Sequence, residues 1–121
     1  MGSDRYEDER GVIQDLITER LDAVTEIFTW KGGVRGNHVH NDTTQWGYVV
    51  SGTLKVVNRS PGGAAVTRVH AAGSLFCENP GVAHAWEALE NTVVLVFTRG
   101  PRSGENYESD VQRLPEGDRL I

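Results

Sequence analysis

At 121 residues, 38% of them hydrophobic, with a formal charge of −5, the chain has the size of one domain and can bury about two thirds of its unfolded surface without staples. Its single cysteine, Cys77, excludes an internal disulfide and fits a reducing compartment. The acidic balance excludes a nucleic-acid binder, and no apolar run is long enough for a bilayer or a signal core, so a soluble cytoplasmic protein without membrane contact is expected.

Fourteen glycines and short apolar runs between turn signals point to an all-β chain. A first strand is expected at 12–17, where the helix formers from Glu7 to Leu21 offer a short helical turn as the alternative. Further strands are expected at 23–30, 34–40, 45–51, 53–58, 65–70, 74–77, 84–88 and 92–99. Ser51-Gly52 reads as a tight hairpin, and Ser60-Pro61-Gly62-Gly63 and Asn79-Pro80-Gly81 as turns. Short strands at this spacing make a sandwich or barrel. Residues 1–20 are expected to form an N-terminal arm, 21–100 the barrel, and 101–121 a polar tail that wraps the surface or frays. Arg99 and Arg102 read as solvated charge.

Chemistry concentrates in Gly36-Asn37-His38-Val39-His40. Neutral imidazole is the commonest protein ligand for a transition metal, and strand alternation places His38 and His40 on one face with Val34 and Gly36. The Pro80-Gly81 turn delivers His84 from a second strand, and Gln45 adds an amide oxygen. Together they would form a cage that leaves coordination positions open for water or substrate.

The spacing runs Gly32, five residues, His38, one, His40, four, Gln45, six, Gly52; then Gly73, five, Asn79-Pro80-Gly81, two, His84. This resembles the two motifs of the cupin superfamily, G-x5-H-x-H-x(3–4)-E-x6-G and G-x5-P-x-G-x2-H-x3-N, over residues 32–88. Gln45 replaces the family's Glu, Asn79 its first Pro and Ala88 its closing Asn. The resemblance implies a small double-stranded β-helix (jelly-roll) barrel holding a divalent transition metal at one mouth, with His38, His40, His84 and Gln45 as ligands. The metal is Zn, Ni, Fe, Mn or Co; the residues do not choose among them. A neutral Gln45 leaves the full divalent charge, which suits Lewis-acid work on substrates that bring negative charge.

Around that site, alternation groups Gln45, Gly47 and Val49 on one face and Trp46, Tyr48 and Val50 on the other. It turns Trp86 inward with His84. Candidate substrate contacts are therefore Trp86, Trp30, Phe28 and Val49, with core filling or a subunit contact as the plainer reading of the aromatics. Candidate acid–base groups are Tyr48, Glu26, Glu78 and His70. Cys77 reads as a small buried hydrophobe. Asp8-Glu9-Arg10-Gly11 resembles the D-x-R-G element of dTDP-4-dehydrorhamnose 3,5-epimerase-type enzymes, although no epimerase-type His–Asp pair is legible. Gly36-Asn37-His38, His40 and Gly52 resemble the C-terminal cupin of capsular-polysaccharide sugar-nucleotide enzymes.

The expected function is metal-dependent enolisation of a small oxygenated metabolite by an isomerase, epimerase, lyase or cyclase. Alternatives are an Fe-dependent dioxygenase and a non-catalytic cupin that binds a metal or small molecule. A homodimer is expected, because the outward Trp46 and Tyr48 need cover.

Overall fold

Alternating burial runs along the strands as a half-buried sheet requires. In Thr92–Arg99, every second residue from Thr92 to Thr98 is buried while those between are partly open. The computed structural model describes residues 5–101 and 108–121; Arg102 and the first four residues of the expected arm lie outside them. Its strands are β1 (Arg5–Asp8), β2 (Gly11–Gln14), β3 (Ala23–Thr29), β4 (Val34–His40), β5 (Thr44–Ser51), β6 (Thr53–Arg59), β7 (Val66–Ala71), β8 (Leu75–Glu78), β9 (Ala83–Ala88), β10 (Thr92–Arg99) and β11 (Val111–Arg113).

Two antiparallel sheets, β3-β10-β5-β8 and β11-β4-β9-β6-β7, face each other, and β1-β2 forms a separate hairpin. The architecture is the expected all-β jelly roll. Between the sheets, Val49, Leu54, Val56, Phe76, Trp86, Val94 and Val96 form the core, with Ile27 packed against it. Ring contacts run through it from His70 to Phe76 (4.7 Å), then Trp86 (5.4 Å) and His84 (6.1 Å).

Four local expectations change. Ser51-Gly52 is a corner and not a hairpin, because β5 and β6 belong to different sheets. Gly52 turns it at φ 90°, where a Cβ would lie 2.4 Å from the Asn91 carbonyl oxygen. The strand expected at 12–17 is shorter, pairs with β1 and carries no helix. At the other end, β11 joins β4, and the buried Asn37 pins the tail by accepting hydrogen bonds from Leu120 N at 2.7 Å and, through its carbonyl, from Leu114 N at 2.8 Å. Finally, Trp46 is 4% exposed, with the Arg99 guanidinium 5.8 Å from its ring. It therefore asks for no subunit to cover it. No helix among the described residues is long and apolar enough to cross a membrane.

Candidate metal centre

Strand β4 brings the site together through a bulge. Opposite β9, Arg35 pairs with Trp86 and Gly36 with Ala85; the register then slips, and His38 pairs with His84. Asn37 is the extra residue, at φ 57° beside Gly36 at φ 91°. Directly opposed residues share a face, and a bulge re-aims the side chains before it. The ligand face of β4 thus carries Arg35, His38 and His40, whereas Val34 and Gly36 pair with Glu87 and Ala85 on the other face. Simple alternation had put Val34 and Gly36 with the histidines. Glycine is required at this point, since a Cβ on Gly36 would stand 2.9 Å from the His84 carbonyl oxygen.

His38, His40 and His84 each offer a ligand atom, and these atoms lie within 4.8 Å of one another. An ion with bonds of about 2.1 Å holds tetrahedral ligands about 3.4 Å apart, so side-chain shifts of the order of an ångström close the cage. Burial and the nearby imidazoles push His84 down to about 3 and His38 down to about 4. Both are neutral at pH 7 and keep the lone pair that a metal needs.

A carboxyl group stands behind each of the two buried rings. His40 Nδ1 is 3.0 Å from Asp110 Oδ2, and Asp110 also accepts from Thr43 Oγ1 and Asp42 N, both at 2.6 Å. His84 Nδ1 lies 3.1 Å from Glu78 Oε2, off the line of a hydrogen bond, while Asn58 Nδ2 donates to the same oxygen at 2.7 Å. Burial pushes the Glu78 carboxyl up to about 8. A carboxylate bonded behind a ligating imidazole fixes its tautomer and orientation, and here Asp110 is placed to do so for His40. Neutral imidazoles with such support fit a borderline transition ion.

A cavity of about 230 Å³ opens over the cluster, and Gln45 lines it with the three histidines. Arg35, Gly36, Trp86, Ile27 and Val96 complete its wall. Arg35 is anchored by Nε to Thr29 Oγ1 (2.9 Å) and Nη2 to the Phe28 carbonyl (3.2 Å). Of the expected substrate contacts, Trp86 is in this wall. Val49 is wholly buried in the core instead, and Phe28 and Trp30 are 43% and 71% exposed on the outer surface. Among the acid–base candidates, Glu26 is exposed on β3 with its side chain opposite in parity to Ile27. Tyr48 shares the outer face of β5 with Trp46, His70 stacks on Phe76, and Glu78 sits behind His84. None of these four lines the cavity.

Sequence reasoning missed Arg35 and Asp110. A Gly-Asn pair inside a strand is a bulge signal that would have found the first. Asp110 lies 70 residues from His40 and carries no local mark.

A family model described as cupin matches residues 14–112. The chain is 30% identical over 91 residues to an oxalate decarboxylase of Arthroderma benhamiae, which covers 74% of this chain but 21% of that protein's length. Among solved structures, the dTDP-4-dehydrorhamnose 3,5-epimerase of Sulfolobus tokodaii is similar with a TM-score of 0.73 at 19% identity, over 94% of this chain and 74% of that one. The sugar 3,4-ketoisomerase QdtA of Thermoanaerobacterium thermosaccharolyticum, in complex with TDP, gives 0.74 at 19%, over 95% and 86%. The capsular polysaccharide assembling protein CapF of Staphylococcus aureus gives 0.71 at 20%, over 91% and 32%. At these identities the structural likeness is one of fold.

Proposed function

The chain belongs to the cupin family, and from that premise we propose a metal-dependent enzyme that enolises a small, negatively charged oxygenated metabolite, as an isomerase, epimerase, lyase or cyclase. One observation carries the reading. Three imidazoles offer ligand atoms within 4.8 Å at the floor of a cavity, and the Asp110 carboxylate stands 3.0 Å behind His40. His38, His40 and His84 would hold a divalent ion, with Gln45 as a neutral fourth donor. When bound, the ion supplies Lewis-acid polarisation of a substrate carbonyl or carboxylate.

The remaining work falls to the chain's own groups. Arg35, tied down through Nε and Nη2, keeps further N–H donors to orient an anionic group at the mouth. Trp86, Ile27 and Val96 supply an apolar wall that excludes water. The volume favours a small acid over a nucleotide sugar, since about 230 Å³ lies below the roughly 300–1,000 Å³ of pockets for larger ligands. The neighbours' names, a sugar epimerase, a ketoisomerase and an oxalate decarboxylase, include both keto and carboxylate substrates and agree with oxyanion chemistry.

The cavity wall contains, among the described residues, no carboxylate or phenol to remove a proton. That favours a second reading, in which His40 is the base and Asp110, at 3.0 Å, holds its tautomer and stabilises its protonated form. Metal analysis of untagged protein, followed by turnover of small keto acids and keto sugars with and without chelator, separates the two. Stoichiometric metal with activity lost to chelator supports the first reading. Activity that survives metal removal transfers the chemistry to His40–Asp110, and oxygen consumption coupled to turnover would identify a dioxygenase.

A further inference from the structure

We propose that Thr98 is a positioning residue for the metal centre: its hydroxyl holds the Gln45 amide so that the amide oxygen faces the three histidines. The inference rests on the metal-binding reading above, and it gives a role to a residue that lies outside both sequence motifs.

Thr98 stands near the end of β10, on the face that carries the core residues Val94 and Val96, and is 0% exposed. Its Oγ1 is buried and has no hydrogen-bond partner among the described residues. A buried hydroxyl left in that state costs free energy that valine, the residue used at 94 and 96, avoids. Buried polar groups are nearly always paired. The hydroxyl therefore points to a polar neighbour that a side-chain rotation can bring within reach.

Strand register names that neighbour. Thr98 pairs with Gln45 on β5, and Gln45 in turn pairs with Glu78 on β8. Directly opposed residues share a face, with Cβ atoms about 4.5–5.5 Å apart, so the three side chains form one row on the inner side of the sheet. At its centre, Gln45 lines the cavity beside His38, His40 and His84. At its far end, Glu78 Oε1 is also buried without a hydrogen-bond partner among the described residues. The other carboxyl oxygen is already used, since Oε2 accepts from Asn58 Nδ2 at 2.7 Å.

An amide carries both a donor and an acceptor, and a hydroxyl can act as either. One amide between Thr98 and Glu78 thus satisfies both orphaned atoms. With Nε2 donating to one neighbour, Oε1 accepts from the other and keeps a second lone pair for an ion. A glutamine side chain loses much rotamer freedom on being fixed, so partners that fix it raise metal affinity.

Chelator-competition titration of zinc at pH 7 tests this on the full chain, using Thr98→Val, Thr98→Ser, Gln45→Ala and the double variant Gln45→Ala/Thr98→Val. Thermal melts of the metal-free samples accompany it. Thr98→Val keeps the side-chain shape and removes the polar atom. It should raise the zinc Kd about tenfold while the metal-free Tm holds or rises; a merely structural hydroxyl would lower that Tm. Thr98→Ser keeps the hydroxyl and should recover most of the lost affinity. In the Gln45→Ala background Thr98→Val should change the Kd no further, because the amide it acts through is gone. Wild-type affinity or a lowered metal-free Tm in Thr98→Val, Thr98→Ser as weak as Thr98→Val, or an effect that persists without Gln45 would each overturn the proposal alone. A wild type that takes up no zinc would remove the metal reading and the proposal with it.

Discussion

Replacing Asp110 by asparagine takes one acceptor from a carboxylate that has none to spare. Its Oδ2 serves both His40 Nδ1 (3.0 Å) and Thr43 Oγ1 (2.6 Å), and its Oδ1 accepts from Asp42 N (2.6 Å). Burial alone would raise the carboxyl pKa, but hydrogen bonds from Thr43, Asp42 and His40 outweigh it and hold the group below its ordinary value. Asparagine keeps the shape with a single oxygen. With that oxygen on Asp42 N, its amide N–H groups face Thr43 and His40. Thr43 can rotate and accept, but His40 can answer only with an Nδ1 lone pair, which moves its proton to Nε2. A protonated Nε2 cannot ligate. Loss of such a partner typically costs about 10–100-fold in metal affinity, or about 1.4–2.7 kcal/mol. Competition titration of zinc against a chelator at pH 7 measures the Kd, and imidazole ¹⁵N spectra report the tautomer. D110N binding zinc as tightly as wild type, with the proton still on Nδ1, would refute the reasoning.

Gln45→Glu should raise metal content at matched purification, because a carboxylate cancels one unit of the ion's charge where the amide cancels none; equal or lower occupancy would count against Gln45 as a donor. Gly36→Ala should lower stability by about 1–3 kcal/mol, since φ is 91° and the new Cβ would meet the His84 carbonyl at 2.9 Å; a denaturant melt with an unchanged midpoint would contradict this. Arg35→Gln should weaken binding of a small dicarboxylate to the metal-loaded protein about tenfold or more, as followed by calorimetry, with metal affinity itself retained. The metal-free protein should be most stable near pH 6.5. Below that value the unfolded chain takes up protons that His84 and His38, held down to about 3 and 4, refuse in the fold, so stability falls with acid. From the usual carboxyl value up to about 8, the folded Glu78 keeps a proton that the unfolded chain has lost, so stability falls again as pH rises towards 8. Urea melts in chelator at pH 5, 6.5 and 8 check the sign on each side, and a monotonic trend would show that one of the two groups is wrongly placed.

Most strands were legible because their signals are local. The alternation of Val94, Val96 and Thr98 against Val93, Leu95 and Phe97 marks β10 without help from the rest of the chain, and Pro61-Gly62 and Pro80-Gly81 mark strand ends in the same way. The imidazole spacing was legible for a related reason. His38 and His40 both follow the bulge, so counting in twos from one to the other meets no irregularity. Arg35 lies on the far side of Asn37, and there the count is off by one. The extra residue turns Val34 and Gly36 away and brings a guanidinium into the cavity. Asp110 escapes for another reason, since its place behind His40 depends on how β11 registers against β4, a pairing between segments 70 residues apart that no periodicity records. Trp46 was placed on the outward face by parity, yet outward did not mean exposed. Motif spacing thus reports the histidine cluster, because His38 and His40 sit on one side of the irregularity. Arg35 and Asp110, the groups proposed to orient an anion and to hold the His40 tautomer, reach the site only through bulge and register.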